Sequence, residues 1–198
     1  MEQLSLSLPL ESSARTLVDD DTGRVVYAPR IVDAATSAAW FGALLAGIDW
    51  QHERRPMYDR IVDVPRLTAH YHDGDDVPKA IRAAQRAVET FTGERFNSVG
   101  LNLYRDERDS VAMHNDHTEE LIPKGSVALL SLGATRRMRI HSKSRPRRTF
   151  DVALEAGSIL LMAGAAQEFW EHGIPKTADP VGPRISLAFR QRPPSATS

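Results

Sequence analysis

The chain has 198 residues, a formal net charge of −1 and no cysteine, which suits one domain with a sizeable core. This composition excludes a global attraction to nucleic acid or membrane, and it excludes disulfides, thiolate ligands and cysteine nucleophiles. No apolar run approaches the roughly 20 residues of a membrane span, and residues 1–10 lack the basic segment of a secretory signal. We therefore expect a soluble, cytoplasmic protein, and a monomer, since nothing indicates an obligate dimer.

The two ends of the chain are predicted to lie outside the folded domain. Residues 1–27 mix Ser and Leu with three consecutive aspartates before a Thr-Gly pair, which indicates a loosely tethered arm that ends in a turn. Residues 193–198 are rich in Ser and Pro and are predicted to form a disordered tail. Residues 28–192 are interpreted as a single domain, because no internal repeat divides them.

Two helices are predicted in the first half of this domain. Over residues 33–48 the apolar side chains recur at helical spacing, and Asp33 is a suitable N-cap. A second stripe with helical spacing runs over residues 78–91, with Pro78 at its start and Gly93 as its stop. Each helix is therefore expected to bury one face in a core.

The second half of the chain has the pattern of short β-strands. Strand-like runs occupy residues 101–104, 126–132, 137–140, 149–154, 158–162 and 184–190. Turns rich in Gly, Pro and basic residues separate them, without helices between. This order favours an antiparallel sandwich or jelly roll over a parallel sheet, in a mainly β protein of the α+β class.

Two histidines and one aspartate form a candidate metal site. His114 and Asp116 are two positions apart, so on a strand both side chains would face the same ion. His172 is 56 positions beyond Asp116 (172 − 116) and supplies a third ligand. Two imidazoles and one carboxylate leave coordination positions free, which is the arrangement of non-haem Fe(II) oxygenases. An H-x-D triplet alone would have little weight in a chain with seven histidines.

Arginines on the last predicted strand suggest an anionic cosubstrate. Alternation places Arg184, Ser186 and Arg190 on one face of that strand. A buried guanidinium needs an anionic partner, and a dicarboxylate such as 2-oxoglutarate can bind arginine at one end and iron at the other. The two arginines would lie about 20 Å apart, so one should clamp the distal carboxylate while the other lies nearer the metal or Asp116. The alternative is that both arginines lie on a solvated strand face.

Further stretches of the chain complete a recognisable pattern. They are Pro65 to Tyr71, Asn97-Ser98, Asn102-Leu103-Tyr104-Arg105, Asp109-Ser110-Val111, His114-x-Asp116, Ser131 to Arg136, Met162 to Lys176 and Pro183 to Arg190. Together they resemble the AlkB family of Fe(II)/2-oxoglutarate-dependent dioxygenases, which are oxidative demethylases of nucleic acid. The resemblance covers about residues 60–192 and extends weakly back to residue 28.

The resemblance implies a double-stranded β-helix (jelly roll), preceded by N-terminal helices and by segments of a nucleotide lid. It implies that His114, Asp116 and His172 bind Fe(II). The residues implied to bind 2-oxoglutarate are Asn102, Tyr104, Arg184, Ser186 and Arg190. The implied reaction uses O₂ and 2-oxoglutarate to oxidise an N-alkyl group of a base such as 1-methyladenine or 3-methylcytosine in DNA or RNA. The hydroxyalkyl product then loses an aldehyde, which leaves succinate, CO₂ and the restored base.

Contacts with alkylated nucleic acid are predicted in two regions. Residues 136–148 concentrate seven Lys/Arg in 13 positions, which suggests phosphate contacts. The alternative is a solvated hairpin tip that protects a sheet edge from aggregation. Residues near position 70 could form a lid that holds an extracted base. The residues predicted to contact the substrate are Tyr58, Arg66, His70, Tyr71, Thr118, Arg136, Arg145, Arg147 and Arg148.

Three positions depart from the family pattern. Ser186 stands where the family often has Asn, Thr118 where many members have an acidic residue that reads the base, and His70 where relatives can have Trp. These departures put the base preference in doubt and leave the oxidative chemistry intact. Two alternatives therefore stay open: an oxygenase that acts on a protein, a lipid or a small molecule, and a non-catalytic nucleic-acid-binding module.

Overall fold

The computed structural model describes residues 13–57, 60–116 and 118–193, and for residues 55–57, 60–63 and 118 it describes the backbone alone. The strands are β1 (Arg15–Asp20), β2 (Gly23–Ala28), β3 (Gln51–Met57), β4 (Arg60–His72), β5 (Ser98–Tyr104), β6 (Val111–His114), β7 (Val127–Gly133), β8 (Arg136–Ser142), β9 (Thr149–Leu154), β10 (Ile159–Ala163), β11 (Trp170–Ile174) and β12 (Arg184–Arg190). The helices are α1 (Ala34–Gly47), α2 (Lys79–Thr92) and the four-residue α3 (Ala166–Phe169). A 3-10 turn spans Thr118–Glu120.

The strands form two antiparallel sheets. The larger sheet has the order β1-β2-β10-β7-β12-β5-β4-β3, and the smaller one has the order β6-β11-β8-β9. Strand β12 is bonded on both sides along its whole length, so that Ser186 lies opposite both Asn102 of β5 and Ser131 of β7. The mainly β jelly-roll fold predicted from the sequence is confirmed.

Each side of the larger sheet has its own apolar core. One core lies between that sheet and helices α1 and α2, and it includes Ile185, Leu187 and Phe189 of β12. The other lies between the two sheets, and it includes Ala188 of β12 together with Ile140 of β8. Alternation along β12 therefore turns the remaining side chains of that strand toward the space between the sheets.

The predicted helices are confirmed to within about one residue at each end. Asp33 caps α1, because its Oδ1 accepts a hydrogen bond from the backbone N–H of Thr36 at 2.9 Å. Gly93 ends α2 with a φ of 73°, a left-handed conformation that favours glycine. Between residues 13 and 193, leaving out 58, 59 and 117, the structure contains no helix long and apolar enough to cross a bilayer.

The predicted N-terminal arm does not hold for residues 15–27. These residues form the hairpin β1–β2, and β2 joins the larger sheet by pairing with β10. Val25 and Tyr27 pack between the sheets and Val26 packs on the helix side, so β2 buries both of its faces. Residues 1–12 and the predicted tail beyond Pro193 lie outside the described residues.

The hairpin β3–β4 is a second element that the sequence reading did not predict as strands. The second half of β4 pairs with β5 and alternates cleanly. Leu67, Ala69 and Tyr71 pack on the helix-side core, so Thr68 and His70 face the opposite way, toward the smaller sheet. This hairpin supplies one wall of the site described next.

Candidate metal and cosubstrate site

A cleft of about 540 Å³ is lined by side chains from both sheets. Its volume falls within the range of ~300–1,000 Å³ that is usual for small-molecule sites. The predicted site residues found in its wall are Arg66, His70, Asn102, Tyr104, His114, Asp116, His172, Ser186 and Arg190. Residues far apart in the sequence therefore meet in one concave space.

The three candidate metal ligands come together at this cleft. His114 of β6 lies directly opposite His172 of β11, and their ring centroids are 4.5 Å apart. Asp116 follows two residues after the end of β6, and one ligand atom from each of the three residues lies within 4.8 Å of the others. A group of two imidazoles and one carboxylate at this separation can hold one divalent ion on a single face.

Each histidine can offer a ring nitrogen to a metal ion. The Nδ1 of His114 is 2.9 Å from the carbonyl oxygen of Ala112, so a proton donated there leaves Nε2 free for an ion. Burial lowers the pKa of His172 to about 4, with the neighbouring His114 acting in the same direction. The Nδ1 of His172 is buried and has no hydrogen-bond partner within the described part of the chain.

Arg190 holds the carboxylate of Asp116 in a two-point ion pair. Its Nε and Nη2 lie 3.0 Å and 3.1 Å from the two carboxylate oxygens. Burial alone would raise the pKa of Asp116, but the positive charge of Arg190 and its hydrogen bonds to the carboxylate outweigh burial and hold that pKa below its ordinary value. Asp116 is therefore charged at neutral pH, as a metal ligand must be.

Arg184 lies at the other end of β12 and is fully buried. Its Nη2 donates to Ser131 Oγ at 2.8 Å, and its guanidinium lies 5.4 Å from the ring centroid of Tyr104. The Nε and Nη1 have no partner among the described residues, and burial lowers the pKa of Arg184 to about 10. A buried cation with two unused donors is costly, so this place fits an anion such as a carboxylate.

The residues between the two arginines are polar and closely fitted. Arg66 Nε donates to Asn102 Oδ1 at 2.7 Å, and Asn102 lies across from Ser186. A Cβ at Gly100 would lie 3.0 Å from Arg190 Nη1 and 3.3 Å from His70 Nδ1, so only glycine leaves both groups undisturbed. The arrangement therefore fits a dicarboxylate with one end toward Arg184 and the other toward the metal ligands.

Two residues predicted to contact the substrate lie elsewhere. Tyr71 packs against the helix-side core, because alternation along β4 turns it away from the cleft. Arg136 is buried and donates to the backbone oxygens of Asp106, Asp109 and Pro175, so it is a structural group and cannot contact phosphate. Tyr58 lies outside the described residues, as does the side chain of Thr118.

The basic hairpin is less available than its charge suggests. Arg139 forms a two-point ion pair with Asp151, and Arg137 approaches the same carboxylate at 3.7 Å. Arg148 pairs with Asp20 at 2.6 Å and covers the ring of Trp170. Arg145 and Arg147 are exposed at the tip and form no ion pair with the described residues. Arg148 is exposed as well but is engaged by Asp20, so Arg145 and Arg147 are the predicted phosphate contacts that are both exposed and without an ion pair among the described residues.

Several polar residues of the cleft were not predicted as site residues from the sequence. They are Gln51, His52, Glu53, Thr68, Glu120 and Arg192. The alternation of Arg66, Thr68 and His70 would have placed Thr68 in the cleft. No local pattern indicates the β3 residues, since their position depends on pairing with β4.

Acidification is expected to destabilise the metal-free protein through His172. Its pKa falls from the ordinary 6.5 to about 4 on folding, so the unfolded chain binds the proton first as the pH drops. The contribution of neutral His172 to the free energy of unfolding is therefore fully present above pH 6.5 and is lost as the pH falls from 6.5 to 4. At pH 5 the loss amounts to about 2 kcal/mol. Urea unfolding at pH 8, 6 and 5 measures this loss. The variant His172→Gln should lose less, and an equal loss would contradict the assignment.

Comparison with known proteins agrees with this geometry. The profile of the 2OG-Fe(II) oxygenase superfamily matches residues 24–190. The alpha-ketoglutarate-dependent dioxygenase alkB homolog 3 of Bos taurus is 32% identical over 187 residues, covering 84% of this chain and 65% of the relative. The DNA oxidative demethylase ALKBH2 of Mus musculus is 36% identical over 122 residues, covering 58% of this chain and 51% of the relative. This chain thus spans less than two thirds of either relative. It belongs to the 2OG-Fe(II) oxygenase superfamily, and within that superfamily it is AlkB-like.

Proposed function

We propose that this protein oxidatively dealkylates N-alkylated bases in DNA or RNA, with 1-methyladenine and 3-methylcytosine as the first substrates to test. The observation that carries the proposal is one cleft with a His-Asp-His ligand group at one end and a buried, partly unpartnered arginine behind its wall. The names of the relatives, an alkB homolog 3 and a DNA oxidative demethylase, support a nucleic-acid substrate. The reaction would run in a single domain over residues 28–192, to which the hairpin β1–β2 adds two strands of the larger sheet. We further propose a cytoplasmic monomer.

Each proposed role is supported by a contact in the cleft or directly behind its wall. When bound, Fe(II), 2-oxoglutarate and O₂ supply the oxidation of the N-alkyl carbon, with release of CO₂ and succinate. His114, Asp116 and His172 would hold the metal, and Arg190 would keep the carboxylate of Asp116 charged and oriented. Arg184 would bind the distal carboxylate of 2-oxoglutarate through its Nε and Nη1, which have no acceptor among the described residues.

The outer part of the cleft would receive the base. His70 is an exposed imidazole on the cleft wall, and a base taken out of its strand needs a flat surface of this kind to stack on. Asn102 and Ser186 would contribute hydrogen bonds to the cosubstrate, with Arg66 fixing the amide of Asn102. The exposed Arg145 and Arg147 would contact phosphates outside the cleft.

The partial neutralisation of the basic hairpin favours one competing function. Because Asp151 and Asp20 already pair with three of its arginines, a neutral small molecule, a lipid or a protein segment would also be compatible with this surface. A non-catalytic nucleic-acid-binding module is the third possibility. The retained ligand group and the buried Arg184 support catalysis over that module, since both are costly to keep without a bound partner.

Reconstitution with Fe(II) under anaerobic conditions, followed by exposure to O₂, tests the proposal. Succinate release and mass spectrometry are measured together on a methylated single-stranded oligonucleotide, with the unmethylated oligonucleotide and a His114→Ala/Asp116→Ala variant as controls. Lesion loss matched by succinate, and absent in the variant, is the expected result. Succinate release without loss of the lesion would exclude the nucleic-acid substrate. If neither succinate nor repaired base forms although iron is bound, the proposal that the protein is an enzyme is wrong.

The exposed arginines of the hairpin tip are expected to add salt-dependent affinity for the oligonucleotide. In the variant Arg145→Gln/Arg147→Gln, the slope of log K against log salt should become shallower by up to about 1.4, since each lost phosphate contact on a single strand contributes about 0.7. Fluorescence anisotropy between 50 and 300 mM salt, on the order of the physiological range, measures it. The matched control is Arg137→Gln/Arg139→Gln on the same hairpin, whose side chains face Asp151. If both variants show the same slope of log K against log salt, the hairpin tip does not contact the oligonucleotide.

A further inference from the structure

The metal ligand Asp116 lies outside the hydrogen-bonded part of its strand. Strand β6 ends at His114, and Asp116 precedes the 3-10 turn that begins at Thr118. Its backbone N–H therefore has no acceptor from a neighbouring strand. The side chain of Gln167 provides one, with its Oε1 at 2.9 Å from that nitrogen. Gln167 is only 3% exposed, so the bond is shielded from water.

The short helix that carries Gln167 is packed between neighbouring segments. This helix is α3, which lies between β10 and the β11 strand that carries His172. A Cβ at Gly23 would come within 2.4 Å of the backbone nitrogen of Ala166, which shows how closely the β1–β2 turn packs against α3. On the other side, the N–H of Lys143 donates to the carbonyl of Phe169 at 2.9 Å. The acceptor for Asp116 is thus held by two neighbouring segments.

Gln167 and Arg190 hold Asp116 at different places. Arg190 binds the two carboxylate oxygens of Asp116. This contact fixes the carboxylate but does not fix the position of the Asp116 backbone. Gln167 bonds the backbone nitrogen and so fixes that position. A leucine at position 167 would fill a similar volume and leave the N–H of Asp116 buried without an acceptor, which is unfavourable.

We propose that Gln167 is a positioning residue of the metal site: it holds the backbone of Asp116 so that the carboxylate meets the ion together with the two histidines. Gln167 acts through Asp116 and does not itself contact the ion. The inference rests on the metal site of the proposed function. Groups that orient metal ligands typically contribute about 10- to 100-fold to metal affinity, and we expect an effect of this size.

Titration of the metal-free protein with Co(II), followed by its visible absorption bands, tests this without turnover. The variant Gln167→Leu should raise the Kd for Co(II) by about 10- to 100-fold and alter the absorption bands. The variant Gln167→Glu keeps an oxygen acceptor and should bind Co(II) within a few-fold of the unaltered protein. Gln85→Leu is the matched control, because Gln85 also bonds a backbone group, the carbonyl of Phe96, but belongs to α2.

The order of the two variants separates positioning from packing. If Gln167 only fills space, leucine should be tolerated better than a buried glutamate, and that result would overturn the inference. If the leucine variant and the unaltered protein bind Co(II) with equal affinity, the role of Gln167 is wrong but the metal site stands. If the unaltered protein does not bind Co(II), the metal site is wrong as well. If Gln167→Leu does not fold, Gln167→Met replaces it, since methionine adapts to irregular spaces.

Discussion

Replacing Arg184 with methionine is expected to stabilise the ligand-free protein while it abolishes tight binding of 2-oxoglutarate. The guanidinium is fully buried, bonds Ser131 through one nitrogen and leaves Nε and Nη1 without partners in the described structure. Removing a buried, incompletely paired charge should raise the free energy of unfolding by about 1–4 kcal/mol. The loss of a charge-assisted contact to carboxylate should weaken 2-oxoglutarate binding by about 100-fold or more.

Urea unfolding without ligand and calorimetric titration with 2-oxoglutarate measure the two effects of the Arg184 change. Arg136→Met is the matched control, because Arg136 is also buried but donates to three backbone oxygens. That control should destabilise the fold, since it leaves buried carbonyl groups without donors. If Arg184→Met destabilised the protein as much as Arg136→Met, Arg184 would be a structural residue, and the proposed cosubstrate position would be wrong.

The variant Asp116→Asn is expected to lose bound metal and at least about 1,000-fold in turnover, which corresponds to about 4 kcal/mol of transition-state stabilisation. Asparagine has nearly the same shape, so the change removes the negative charge that balances Arg190 and the ion. The half-buried Arg190 would then repel a divalent cation. Metal content after dialysis and succinate release both report this outcome.

Asp109→Asn offers a control of the same kind for Asp116. Asp109 is buried and forms a two-point ion pair with Arg105, at 2.8 Å and 2.9 Å, so the same chemical change is made in the same type of pair. Asp109 is not one of the clustered candidate ligands. The control should lower stability and leave metal content unchanged. A metal content equally reduced in both variants would indicate general loss of structure.

Local alternation was enough to predict much of the site. Residues two apart on a strand share a face, and this placed Asn102 with Tyr104 and Arg184 with Arg190 before any fold was known. His172 is remote in sequence from His114 and Asp116; it was predicted as the third candidate ligand from the residues, and the family resemblance implied the same role. The assignments of bound metal and cosubstrate to these residues stay predictions, although the geometry suits them.

What the sequence could not predict depends on contacts between distant segments. The bond from Asp116 to Gln167 joins the segment after β6 to α3, and their approach is set by the pairing of β6 with β11. Net charge could not separate Arg145 from Arg136, because burial and partners are tertiary properties. One local signal was available for Arg136: it alternates with the apolar Met138 and so faces inward.

Strand β12 lies between two neighbours that pair with it along its whole length, so the positions of its side chains along the strand are fixed. Its register is set at every residue by both β5 and β7, so a slip of one residue would move Arg184 and Arg190 together into the helix-side core. Arg184 is therefore held at a fixed distance along β12 from Arg190, which binds the metal ligand Asp116, and the space between Arg184 and the metal ligands cannot adapt to a longer or shorter dicarboxylate. Backbone amides of such a central strand exchange with solvent only when the molecule opens globally. The length selectivity of the pocket should consequently persist on warming until the protein unfolds.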